Sequence, residues 1–174
     1  MKKLYPLALC LLAFPAAAHP CHADSVGLLA GLAHPFSGMD HLLAMLGVGL
    51  WSRQQNRGLL LPLAFIAMMA LGALVQIGVP IELGIAASVV LIGALLLSAV
   101  KLPAAAAVAL VGLFALLHGQ AHGRELAGAA SMAGFLLASA GLLLAGRAIG
   151  GQLVSRAAGA AIGVAGLCLL AGAA

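Results

Sequence analysis

The stretch HPFSGMDHLLAMLGVGLW, His34 to Trp51, decides how this chain folds. Its second half has the apolar character of a membrane helix, while its first half carries His34, Asp40 and His41. Ionisable groups inside a membrane segment are costly and mark functional positions by default. On one continuous helix, at about 100° per residue, His34 and His41 lie two turns apart and within about 20° of the same direction. Asp40 then points roughly 100° away from His41. Pro35 lacks a backbone N–H and either starts or kinks the helix. Gly38 permits a close approach or an irregular turn.

The surroundings agree with a bilayer. Of 174 residues, 64% are hydrophobic and 7% are charged, against about 25% charged in a soluble domain. So few charges cannot cover a water-facing surface, and an all-α polytopic membrane bundle is the reading that remains. The 23 glycines suit helices packed closely in lipid. Small-xxx-small pairs such as Gly27/Gly31 and Gly159/Gly163 are read as packing contacts. The net charge of +4 comes from cations scattered singly. There is no basic stripe with interleaved aromatics, so nucleic acid is not an expected partner. No G-x-x-x-x-G-K-[ST] phosphate loop occurs, which argues against an ATP-driven pump in this chain.

Residues 1–18 have the form of a cleavable signal peptide: Lys2 and Lys3, a short apolar run, then Ala16 and Ala18 as a small-x-small cleavage pattern. Residues 19–25 become a short periplasmic tail and 26–174 a domain of six transmembrane helices. The expected helices cover about 26–51, 59–78, 81–100, 103–122, 126–148 and 155–172, near the roughly 20 residues a bilayer needs. Pro80 and Pro103 are placed in first turns, where a missing N–H costs little. With the mature N-terminus outside, Arg53, Arg57, Lys101, Arg147 and Arg156 fall on the cytoplasmic side and only Arg124 falls outside. That asymmetry obeys the positive-inside rule and leaves both termini periplasmic. Three helices followed by three are compatible with an inverted repeat, although no internal sequence match supports one. Trp51 reads as an interfacial anchor. Met39, Met45, Met68, Met69 and Cys168 read as packing residues.

All six histidines fall into three groups: His19 with His22, His34 with His41, and His118 with His122. The last pair lies in LHGQAHGREL, Leu117 to Leu126, where His118, His122 and Glu125 are spaced i, i+4, i+7 on one helical stripe. No glutamate follows the first histidine, so this is not a zinc-protease HExxH motif. A depth estimate at about 1.5 Å per residue puts His34 about 25 Å above the Trp51 end and His118 roughly 23 Å above the same side. Asp40 and His41 then lie some 10 Å deeper. Imidazole with carboxylate suits borderline divalent ions such as Ni²⁺, Co²⁺, Zn²⁺ or Cu²⁺, and a carboxylate also orients a ligating histidine from behind. His19, Cys21 and His22 in the tail, and Glu82 at the start of the third helix, are candidates for metal capture at the entrance. Gln76 is a further polar candidate on that side.

The two motifs together, HPFSGMDH with LLAMLGVGLW and LHGQAHGRE, resemble the signatures of the HupE/UreJ family of membrane proteins. The resemblance covers essentially the whole mature chain. It implies a nickel permease, with cobalt as a second cargo, of the bacterial inner membrane, and maturation proteins of hydrogenase or urease as partners. It implies His34, Asp40, His41, His118, His122 and Glu125 as the metal residues. On this reading the protein is not an enzyme and keeps no permanently bound cofactor. It lets the ion through by facilitated diffusion. Neutral imidazole binds metal, so uptake is expected to fall as the ligands protonate near pH 6. The rival readings are an intramembrane zinc-dependent hydrolase, in which the same side chains activate a water, and a metal sensor or accessory protein without transport.

Overall fold

The computed structural model describes residues 26–75 and 80–173. The expected signal peptide, the expected tail with His19, Cys21 and His22, and Gln76 lie outside the described residues. Seven α-helices are present among them: α1 (Leu28–Ala33), α2 (Met39–Gln54), α3 (Leu60–Leu74), α4 (Glu82–Ser98), α5 (Ala104–Glu125), α6 (Ala129–Ile149) and α7 (Gln152–Ala173). A single 3₁₀ turn, His34–Phe36, joins α1 to α2.

That turn divides the first expected helix, 26–51, and answers how Pro35 acts on it. Pro35 has no N–H to continue the helical ladder, so the chain tightens around it, and the Ser37 N–H bonds the His34 carbonyl at 3.0 Å. The Ser37 hydroxyl donates to the same carbonyl at 2.7 Å. Gly38 then turns extended (φ −110°, ψ 121°) and starts α2. The two prolines expected in first turns sit just before them. Pro103 caps α5 from outside the helix, and Pro80 precedes Ile81, the N-cap of α4.

Three helices, α5, α6 and α7, are long and apolar enough to cross a membrane. The apolar α3 and α4 are shorter, at 15 and 17 residues. Their outward faces are apolar as well: Leu63 and Leu74 on α3, Leu137 on α6 and Leu153 on α7 are all exposed. This is the surface a lipid solvent selects, with backbone polar groups satisfied inside each helix.

The three most extensive pairings join one half of the chain to the other: α1 and α2 lie along α6, α3 along α5, and α4 along α7. Glycine makes the close ones. A Cβ on Gly119 of α5 would overlap the carbonyl of Met69 on α3, and one on Gly72 would overlap the carbonyl of Leu116 in return. The helices meet backbone to backbone there, as small residues allow. Of the pair Gly27/Gly31, only Gly31 packs, against Ser131 and Phe135 of α6. Gly27 has φ +114° and nothing within 4 Å of a Cβ position.

Helix α2 is the centre of the bundle and touches α3, α4, α6 and α7. Its Met45 and Val48 share one core with Phe65, Met69, Val89, Ile92, Val111 and Phe135, all fully buried. Trp51 is fully buried too, so it is a core residue and not the interfacial anchor its position suggested. Met39 and Cys168 prove exposed, because the faces of α2 and α7 that carry them look outward.

Candidate metal centre

The break at Pro35 is what assembles the site. It delivers His34 from the 3₁₀ turn and Asp40 and His41 from the first turn of α2. The last turns of α5 deliver His118, His122 and Glu125. All six side chains meet at one end of the bundle, in two layers.

The first layer is His34, His122 and Glu125. His34 Nε2 lies 2.9 Å from His122 Nδ1 and 3.1 Å from Glu125 Oε2. His122 Nδ1 is 3.4 Å from the same carboxylate oxygen. Among the described residues this trio is the group that brings three ligand atoms within 4.8 Å of one another. The separations have chemical meaning. Ligands at about 2.1 Å from a divalent ion stand about 3.0 Å apart along an octahedral edge and about 3.4 Å apart along a tetrahedral one. The layer is open to the outside: the His34 and Glu125 side chains are 23% and 30% exposed.

The second layer is His41 and His118. Their ring centroids are 4.8 Å apart, and His41 lies 4.1 Å from His122. His122 therefore stands between the layers. The Nδ1 of His41 faces Asp40 Oδ1 at 2.7 Å, and that of His118 faces the Phe114 carbonyl at 2.9 Å. Carboxylate and carbonyl oxygens only accept, so both Nδ1 atoms carry a proton, and in the neutral ring Nε2 is then the nitrogen with the free lone pair. The Nε2 atoms of His41, His118 and His122 are buried without a hydrogen-bond partner. An orphaned buried nitrogen is uncommon in a folded protein and calls for an explanation. Here the same arrangement leaves it ready to ligate, with its ring held from behind.

Asp40 thus braces a histidine. Its Oδ1 also accepts the His41 backbone N–H at 2.8 Å. Gly38 makes room for this pair, since a Cβ there would lie 2.7 Å from Asp40 Oδ1 and 3.0 Å from His41 Nδ1. The sequence reading grouped His34 with both His118 and His122 and set Asp40 and His41 apart below them. The structure pairs His34 with His122 and Glu125, and His41 with His118, because the 3₁₀ turn and the extended Gly38 replace one straight helix axis with two segments. Glu82 is not in the cluster. It sits exposed at the first residue of α4, and its Oε2 accepts the Ile81 N–H at 2.9 Å. Gly84 lies against Leu117, so Glu82 is nonetheless at the histidine end.

Two aromatic rings wall the site and were not anticipated. Phe135 of α6 lies 3.9 Å from the His122 ring and 6.0 Å from His34. Phe65 of α3 lies 6.2 Å from His118. The usable signal was scarcity: the chain has only five phenylalanines, and two of them stand here.

The family model described as HupE / UreJ protein matches residues 7–174. The chain is similar to Protein HupE of Rhizobium leguminosarum bv. viciae. The two are 41% identical over 184 aligned positions, covering 94% of this chain and 95% of the relative. No solved structure matches.

Proposed function

The chain belongs to the HupE/UreJ family, and from that premise we propose that it is an inner-membrane permease for a divalent metal ion, nickel first and cobalt second. Six membrane crossings serve this function: α1 with α2 forms the first, the shorter α3 and α4 the next two, and α5, α6 and α7 the rest. The histidine end faces the periplasm. The ion it admits is destined for the maturation of a hydrogenase or urease. The protein performs no chemistry on it.

The observation that carries this reading is the layered set of nitrogens. His34, His122 and Glu125 form the entrance, where two imidazoles and one carboxylate replace part of the hydration shell. His122 presents Nδ1 to this layer, and its Nε2 is left toward the buried His41 and His118. The ion passes from the charged, half-exposed trio to a neutral, buried set of imidazoles. Removing the carboxylate between the first layer and the second weakens the hold and favours onward movement. Conduction needs this balance of binding that admits the ion and binding that releases it. Asp40 keeps His41 in the ligating tautomer throughout.

Purified protein in liposomes loaded with a metal-sensitive dye tests the reading. Ni²⁺ influx is expected, with His34→Ala and His118→Ala each abolishing most of it. Influx unchanged in both variants, in correctly folded protein, would sink the mechanism. Lipid turnover measured on the same vesicles is expected to stay at background, and turnover dependent on Zn²⁺ would make the protein a hydrolase instead.

A further inference from the structure

The opposite end of the bundle has its own recess, unrelated to the histidines. It has a volume of about 330 Å³ and lies between the C-terminus of α2, the chain after α4 and the N-terminus of α7. Arg53 and Lys101 line it, together with Gln54, Gln152 and Ser155. Neither cation has an ion pair among the described residues, and the carboxylates described, Asp40, Glu82 and Glu125, are all at the histidine end.

Three further observations point to what the recess takes. First, the Ser155 Oγ is buried without a hydrogen-bond partner, in a residue 1% exposed that lines the recess. Second, the first turn of α7 points into the same place. Its leading N–H groups have no acceptor within the helix, and their aligned dipoles favour an anion. No acidic residue occupies that turn. Third, Gln54 is held by its Nε2, which donates to the Leu96 carbonyl at 3.1 Å. Its Oε1 is left buried and unpartnered, and it can only accept. The recess therefore offers several donors, two full positive charges and, in Gln54 Oε1, a buried acceptor without a partner.

A bare phosphate satisfies the donors, while the Gln54 oxygen requires a ligand with its own hydrogen, such as a hydroxyl. The flanks are apolar and outward-facing: Leu153 and Val154 on α7, Leu97 on α4 and the adjoining Val100 are exposed. We propose that this recess binds the phosphodiester headgroup of an anionic phospholipid, with a headgroup hydroxyl donating to Gln54 and the acyl chains running along these flanks. Basic pockets between membrane helices recognise lipid headgroups by this combination of charge and donors. Arg53 and Lys101 hold the phosphate, Ser155 and the α7 N-terminus complete its coordination, and Gln54 selects a headgroup that can donate.

The test uses the purified full-length protein in a neutral detergent. It is titrated separately with phosphatidylglycerol, with phosphatidylcholine of the same acyl chains, and with inorganic phosphate. Lipid retained through gel filtration is measured by mass spectrometry, and thermal stability is followed alongside. Phosphatidylglycerol is expected to be retained and to raise the melting temperature, while the other two do neither. The Arg53→Gln, Lys101→Gln double variant should bind it roughly 30-fold more weakly. Ser155→Ala, which keeps both cations, should bind it about 5-fold more weakly. Equal retention of the two lipids, or wild-type affinity in Ser155→Ala and in the double variant, overturns the site. Phosphate that protects as well as phosphatidylglycerol overturns the lipid as its ligand. If the double variant does not fold, the wild-type lipid preference and Ser155→Ala decide the matter.

Discussion

The two ends of this bundle treat their polar side chains in opposite ways. At the histidine end, side chains bond mainly to one another: His34 to His122 and Glu125, and His41 to Asp40. At the arginine end they bond to backbone. Gln54 and Arg156 donate to the carbonyls of Leu96 and Leu97 at the end of α4, and Gln55 and Arg57 to those of Val100 and Leu102. Side chains that hold each other can exchange that partner for an incoming ion. Side chains that cap helix carbonyls cannot leave without exposing those carbonyls. The first arrangement suits the exchangeable ligand proposed above and the second mainly holds shape, with the Arg53 recess as the exception. Between the ends stands a closed core, Met45, Val48, Phe65 and Val111, all fully buried. On the proposed reading, an ion bound at His118 moves on only if helices shift.

The strongest way to break this contrast is to remove both buried ligands. The His118→Ala, His122→Ala double variant is expected to lower Ni²⁺ flux by more than about 100-fold, beyond the cost of losing a supporting partner. Far-UV circular dichroism should stay unchanged, and flux above one tenth of wild type would show that the buried layer is not on the route. Asp40→Asn comes next. It keeps the shape and removes the charge that holds His41, so Ni²⁺ affinity should fall about 10- to 100-fold. Isothermal titration of the purified protein reads this directly, and wild-type affinity would reduce Asp40 to a helix-start residue.

Gly38→Ala is a milder disturbance of the same pair. The added methyl presses on Asp40 and His41, and overpacking of that kind costs about 1 kcal/mol or more. Flux should drop about fivefold, and Asp40→Asn should not add to it fully, because the two changes act on one contact. The smallest effect belongs to the other end. Arg156→Gln loses one bond to the Leu97 carbonyl and should lower the melting temperature by about 2–4 °C, leaving flux within about twofold of wild type. A large loss of flux there would erase the division between the two ends.

Much of the site was legible because its chemistry is scarce. In a chain this apolar, every histidine and carboxylate stands out, and His34, Asp40, His41, His118, His122 and Glu125 were all named from spacing and type. Their grouping was not legible. It depends on how much chain length the turn at Pro35 takes up, and a helical wheel assumes a constant rise that a 3₁₀ turn and an extended Gly38 do not keep. Phe65 and Phe135 escaped notice because a phenylalanine in an apolar helix has no pattern of its own. Trp51 was misplaced for a related reason: position near a helix end suggests an interface, but α2 is central enough to bury its last turns.

Sequence alone determined the class of protein, the approximate helices and the candidate metal residues. These follow from transfer free energies and side-chain chemistry, which are properties of residues one at a time. Tertiary structure decided which residues meet. It placed His122 between two layers, joined Asp40 to His41 and set Ser155 and Gln54 facing the Arg53 recess. Those outcomes come from backbone contacts such as Gly119 against Met69 and from one broken helix. Packing distances between distant segments depend on both partners at once, and no local pattern carries them.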